Sequence, residues 1–147
     1  MDRQQIALQL LTAFLGSLGF SLLFGMRAKH LIAAALGGVW VWGLYLLLCH
    51  LIPDKGFMAC LIAAAFSVFY AELLAHIRKC PATIFVVPAI LPLVPGSSLY
   101  YTMAEAVSGD IAAAKVYGSQ TLETALAIAA GISFVIAIRQ LNTTRKS

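Results

Sequence analysis

Residues 81–110 read PATIFVVPAILPLVPGSSLYYTMAEAVSGD, and this stretch decides the fold. It opens as an apolar helix, meets Pro88, Pro92 and Pro95, breaks at Pro95-Gly96-Ser97-Ser98, and restarts with Tyr100, Tyr101, Thr102 and Glu105. Proline lacks a backbone N–H and its ring clashes with the preceding turn, so one helix is expected to end at Pro95-Gly96. Ser97 or Ser98 is expected to cap the next. In lipid, an irregular backbone is tolerated only where protein buries it or where it lines a cavity. Such breaks are where solute carriers hold their cargo.

The rest of the chain is built for lipid. Apolar residues make up 61% and charged residues 11%, where soluble domains carry about 25% charged residues. Mean hydropathy is +0.91. The expectation is an all-α integral membrane protein, one transmembrane domain over 1–147 with no separate soluble domain. Apolar segments run at about 6–24, 31–51, 57–75, 81–108 (broken near 95–97) and 111–138. A helix needs about 20 apolar residues to cross a 30 Å hydrocarbon core. The piece before Pro95 is too short alone, but joined to 98–108 it spans, with the Pro-Gly-Ser-Ser break inside the membrane. The fifth segment is long enough to match a long broken partner. The first exceeds the 7–15 apolar residues of a signal-peptide core and runs into a basic turn, so it reads as a retained helix. The tail Asn142–Ser147 reads as disordered.

Charge sets the expected orientation. With five crossings, Arg27, Lys29, Arg78, Lys79, Arg139, Arg145 and Lys146 fall on one side. Arg3, Lys55 and Lys115 fall on the other, accompanied by Asp2, Asp54 and Asp110. Lys and Arg mark the cytoplasmic face, which predicts N-out and C-in in a cell (inner or plasma) membrane.

Small residues recur every fourth position: Ala13, Ser17, Ser21 and Gly25; Ala59, Ala63, Ser67, Ala71 and Ala75; Ala125, Ala129, Ser133 and Ala137. Such stripes let membrane helices approach closely. They read first as packing inside one bundle, and alternatively as a subunit or sliding interface. Gly37-Gly38 reads as packing space. Trp40, Trp42 and Tyr45 read as packing or lipid-facing aromatics.

Ionisable groups within a span are functional candidates because they are costly there. Glu105 follows Tyr101 by four and shares its face; the alternative is an interfacial helix with Glu105 in water. Glu72 reads as a structural pair with His76 or Arg78. Glu123, beside Gln120, Thr121 and Thr124, reads as an acid favoured early in its helix. Cys49, Cys60 and Cys80 form no Cys-x-x-Cys pair, His30, His50 and His76 are scattered, and no phosphate-binding glycine loop is present. No cofactor or metal is expected. A serine hydrolase would need a base near Ser97 or Ser98, and the sequence offers none locally, so an enzyme is not expected; nor is a nucleic-acid partner.

The run Pro92-Leu93-Val94-Pro95-Gly96-Ser97-Ser98-Leu99-Tyr100-Tyr101, then Met103 and Gly109-Asp110, resembles the threonine/serine exporter family. Gly16-x-x-Gly19-Phe20 with Phe24 and the basic turn also fits. More specifically, the chain resembles the small five-helix membrane subunit of the split, two-component type. The resemblance implies export of small polar metabolites, hydroxy amino acids or dicarboxylates, together with a larger five-helix subunit of opposite orientation. It leaves two classes open: a secondary-transporter subunit with substrate at the broken fourth helix, or a non-transporting scaffold or homo-oligomeric channel. For the first, the candidate substrate-binding residues are Pro95, Gly96, Ser97, Ser98, Tyr101 and Glu105. The Ser97 and Ser98 hydroxyls and the first amides of the restarted helix would hold a carboxylate. Tyr101 and Glu105 would follow one turn on, with Glu105 reading an ammonium group or carrying a proton. Gly96 is expected to need a left-handed or tightly approached backbone.

Overall fold

The computed structural model describes residues 3–52 and 56–144. Asp2, Asp54, Lys55, Arg145 and Lys146, used in the charge argument, lie outside the described residues. Among those described the fold is wholly helical: α1 Arg3–Leu23, α2 Ala28–Leu51, α3 Gly56–Arg78, α4 Thr83–Ile90 with a 3-10 turn at Leu91–Leu93, α5 Gly96–Ser108 and α6 Ile111–Thr144. Helices α1, α2, α3 and α6 are each long and apolar enough to cross a membrane. The α4 and α5 segments are bent by 52° at their break, and together they pass the same test, giving a fifth span if the pair counts as one. The last helix runs past 138 and takes in Asn142 to Thr144, where disorder was expected. Those residues carry no helix breaker, so the helix continues into polar sequence.

Local chemistry explains the helix ends. Gly25 adopts φ 64°, with the Gly25 amide donating to the Leu22 carbonyl and the Met26 amide to the Ser21 carbonyl. This left-handed close ends α1. Gly109, at φ 90°, ends α5 in the same way. Asp110 then accepts the Ala113 amide at 2.9 Å and caps α6, so the Gly-Asp pair turns the chain between two helices.

The interior is made of small side chains. Ala13, Ser17 and Ser21 on α1 and Ala59, Ala63, Ser67 and Ala71 on α3 are buried, so these stripes are internal packing. The α6 stripe is different: Ala125, Ala129, Ser133 and Ala137 are exposed, and α6 turns Ala127 and Gly131 inward instead. A Cβ on Gly131 would run into the Leu61 carbonyl and lie 3.1 Å from the Ala65 nitrogen, which is how closely α6 rides on α3. Gly37 gives room to the Tyr70 ring, whose hydroxyl donates to the Ala33 carbonyl at 2.7 Å. Gly38 faces Ser17, and a Cβ there would overlap the Ser17 hydroxyl. The glycine pair is packing space, as its sequence suggested.

The prolines of α4 are matched by α1. Pro92 has no N–H, so the Pro88 carbonyl loses the helical donor four residues on. The buried Ser17 Oγ–H donates to that carbonyl at 2.9 Å. Ser17→Ala therefore strands a buried acceptor, and thermal unfolding in detergent is expected to show a loss of about 1–3 kcal/mol. Ser21→Ala should cost less than about 1 kcal/mol, because the Ser21 hydroxyl only returns to the Ser17 carbonyl of its own helix, at 2.7 Å.

Two long-range contacts gather basic residues at one end of the bundle. Arg78 Nη1 donates to the Lys29 carbonyl at 2.9 Å, and Arg139 pairs with Glu72 at 2.9 Å. The expected Glu72 partners were His76 or Arg78. Packing of α3 on α6 brings Arg139 to the carboxylate instead, while Arg78 reaches across to α2.

A candidate substrate cavity at the broken helix

A cavity of about 210 Å³ opens at the break. Pro95, Ser97 and Ser98 line it from the broken segment, Trp42 and Tyr45 from α2, Cys60 from α3 and Thr124 from α6. Its walls are largely polar, whereas a larger cleft of about 410 Å³ between α1 and α2 is apolar except for His50. Typical drug-sized sites occupy about 300–1,000 Å³, so the break cavity suits a small metabolite.

Its floor is set by the restart of α5. Val94 is extended and Pro95 stands at the helix cap position, with Gly96 already the first helical residue. Ser97 and Ser98 thus sit inside the first turn rather than capping it; Pro95, which offers no side-chain cap, takes that position. The Ser98 hydroxyl donates to the Pro95 carbonyl at 3.3 Å, and the Leu99 amide donates to the same carbonyl at 3.0 Å. That amide begins the regular helical ladder, so α5 itself gives the Ser97 and Ser98 amides no acceptor. Free amides at a helix start attract anions.

Gly96 departs from expectation. Its φ is not left-handed, and a Cβ on it would meet nothing within 4 Å. Neither backbone conformation nor packing within this chain demands glycine there. The other two candidates lie further along α5. Tyr101 is about half exposed and its ring is 5.3 Å from that of Tyr117 on α6. Half-buried Glu105 accepts a 3.4 Å hydrogen bond from the Ser108 hydroxyl. The cavity gathers Pro95, Ser97 and Ser98, and its lining includes neither Gly96, Tyr101 nor Glu105.

Seven lining residues were not proposed from sequence: Pro92, Leu93 and Val94 beside the break, and Trp42, Tyr45, Cys60 and Thr124 on other helices. Trp42 and Tyr45 do pack on the core, with ring centroids 5.1 Å apart, but the same residues also wall the cavity. The i, i+3 spacing of an indole and a phenol deep within a span was the available signal. Trp40, one of the same aromatic group, is 61% exposed. Trp42 and Pro92 also border a second cavity of about 200 Å³, lined by Gln9, Thr12 and Ala13, which places the indole between two spaces. The Gln9 side-chain oxygen there is buried without a hydrogen-bond partner. Among the described residues no cluster of His, Cys, Asp and Glu is placed to hold a metal.

Apolar helices of spanning length around a cavity at a proline-broken helix make up a membrane-type helical bundle with room for a small solute. The model of the family described as "Threonine/Serine exporter, ThrE" matches residues 9–138, and the chain belongs to that family. Members of the family are transporters rather than enzymes. No curated protein and no solved structure matches the chain significantly.

Proposed function

We propose that this chain is a subunit of a secondary transporter that exports small polar metabolites, threonine- or serine-like amino acids or dicarboxylates. The substrate carboxylate binds in the cavity at the break, against the Ser97 and Ser98 amides and hydroxyls. The observation that carries this reading is the meeting of a small polar cavity with the acceptor-free amides at the start of α5. Tyr45 and Thr124 supply hydroxyls for the rest of a hydroxylated solute, and Trp42 forms an apolar wall. Tyr101 and Glu105 act one turn further along the path, where Glu105 reads an ammonium group or carries a proton.

The broken pair counts as the fourth of five spans, N-out and C-in, in the inner or plasma membrane. Gathering of Lys29, Arg78 and Arg139 at one end supports this orientation. The partner is a larger five-helix subunit. Gly96 and the exposed α6 stripe are open on this chain's surface, as expected of parts completed by that partner. Counterflow of labelled threonine, serine and dicarboxylates in proteoliposomes, with and without the larger subunit, tests the proposal. Uptake into counter-loaded vesicles only when both subunits are present is expected. Solute-independent conductance by this chain alone would instead establish a homo-oligomeric channel. Cysteines placed at Gln5 and Thr144 should label from opposite sides; labelling from the same side contradicts five crossings.

A further inference from the structure

At the basic end of the bundle, away from the Pro95-Gly96 break, a further cavity of about 320 Å³ lies where α1 turns into α2 and α3 into α4. Arg27 and His30 line it beside the apolar walls of Phe24, Met26, Pro81 and Ile84. His30 is only 5% exposed, and its ring stands edge-on to Phe85 with centroids 5.6 Å apart. Its Nδ1 is buried with no hydrogen-bond partner. A buried polar atom left unsatisfied costs about 1–3 kcal/mol, so the site is incomplete as it stands.

The surroundings indicate what completes it. α2 starts at Ala28, immediately after Arg27, and the His30 amide donates back to the Arg27 carbonyl at 2.9 Å. The positive end of the α2 dipole therefore points at this region. Lys29 adds an ammonium group, and Arg78 is held near by its 2.9 Å hydrogen bond to the Lys29 carbonyl. Glu72, the acid nearest this end on α3, is engaged by Arg139. An imidazole and a guanidinium lining one space beside a helix start match an oxyanion. The apolar walls match a ligand whose charged head carries a hydrocarbon body. Basic pockets between helix ends hold lipid headgroups by this combination.

We propose that the cavity between the α1–α2 and α3–α4 turns binds a phosphate group, with Arg27 and His30 as its direct ligands and Lys29 and Arg78 as flanking charge. The phosphate belongs either to an anionic phospholipid headgroup or to a free phosphate in the aqueous phase. The site is independent of the substrate cavity and rests on different residues.

The test uses full-length protein in detergent, labelled with ¹⁵N-histidine and stripped of lipid. Inorganic phosphate and phosphatidylglycerol micelles are titrated separately, with phosphatidylcholine as the zwitterionic control. The His30 imidazole resonances should move, and Arg27→Gln should weaken the response about tenfold, the scale of one lost charge-assisted hydrogen bond. Arg27 is exposed, so this variant keeps the fold even if His30→Asn does not. A response to phosphatidylglycerol alone identifies a lipid site; a response to phosphate as well identifies a free-anion site. Unmoved His30 resonances in both titrations, or an Arg27→Gln response equal to that of the unaltered protein, would overturn the proposal.

Discussion

Gly131→Ala is expected to cost about 3 kcal/mol of stability, at the upper end for overpacking a tight interior. A methyl group at 131 would meet the Leu61 carbonyl and the Ala65 nitrogen, both backbone atoms. Flexible side chains can move aside cheaply; the backbone of α3 cannot. Relief requires α6 to lift off α3, which also separates Thr124 from Cys60 across the cavity, where the Cys60 thiol now lies 3.9 Å from the Thr124 carbonyl. Gly16→Ala and Gly19→Ala provide the contrast. A Cβ at either meets nothing within 4 Å, so both should be neutral or gain up to about 1 kcal/mol from better helix propensity. Thermal unfolding in one detergent compares all three. Equal stability for Gly131→Ala and Gly16→Ala would refute the close α3–α6 contact.

Ser98→Leu carries the second large expected effect, on transport rather than on folding. The side chain lines a cavity of about 210 Å³, and leucine both fills part of it and removes the hydroxyl. Export should fall more than tenfold while the protein remains in the membrane. Ser98→Ala leaves the space and removes only a hydroxyl, so about 1 kcal/mol of substrate binding is lost, raising KM severalfold with kcat nearly unchanged. Val107→Leu, on the same helix at 90% exposure, should transport normally. If Ser98→Leu retains normal export with the larger subunit present, substrate does not bind at the break.

Helix content and the broken segment were legible because each rests on local chemistry. Apolar runs of spanning length need no tertiary information, and proline stops a helix whatever surrounds it. The Gly109-Asp110 turn, which entered only with the family resemblance, also rests on local chemistry, since a left-handed glycine and an aspartate cap act within a few residues. What escaped depends on pairing between helices. Sequence spacing assigned Glu72 to partners on its own helix, but the packing of α6 on α3 supplies Arg139. It treated the three small stripes alike, and only tertiary packing buries those of α1 and α3 while leaving that of α6 outside. It assigned Gly96 a conformational role, although the bend is made by Val94 and Pro95 and leaves residue 96 in ordinary helical geometry. Cys60 and Thr124 were not legible as cavity residues, because nothing in their local sequence says that α3 and α6 meet the break. Ser17 shows the same principle in a stability role: an ordinary small residue gains its task from a proline 71 positions away.

The proposed function puts an exported solute in the cavity at the helix break. Its most direct measurement uses Ser98→Cys in a chain whose Cys49, Cys60 and Cys80 are replaced, in membranes that also carry the larger subunit. The rate of maleimide reaction at position 98 is followed with and without threonine, serine or a dicarboxylate. The transported solute is expected to slow labelling in proportion to its occupancy, and solutes that are not exported to leave the rate unchanged. A labelling rate indifferent to every exported solute at saturating concentration, with export intact, would contradict it.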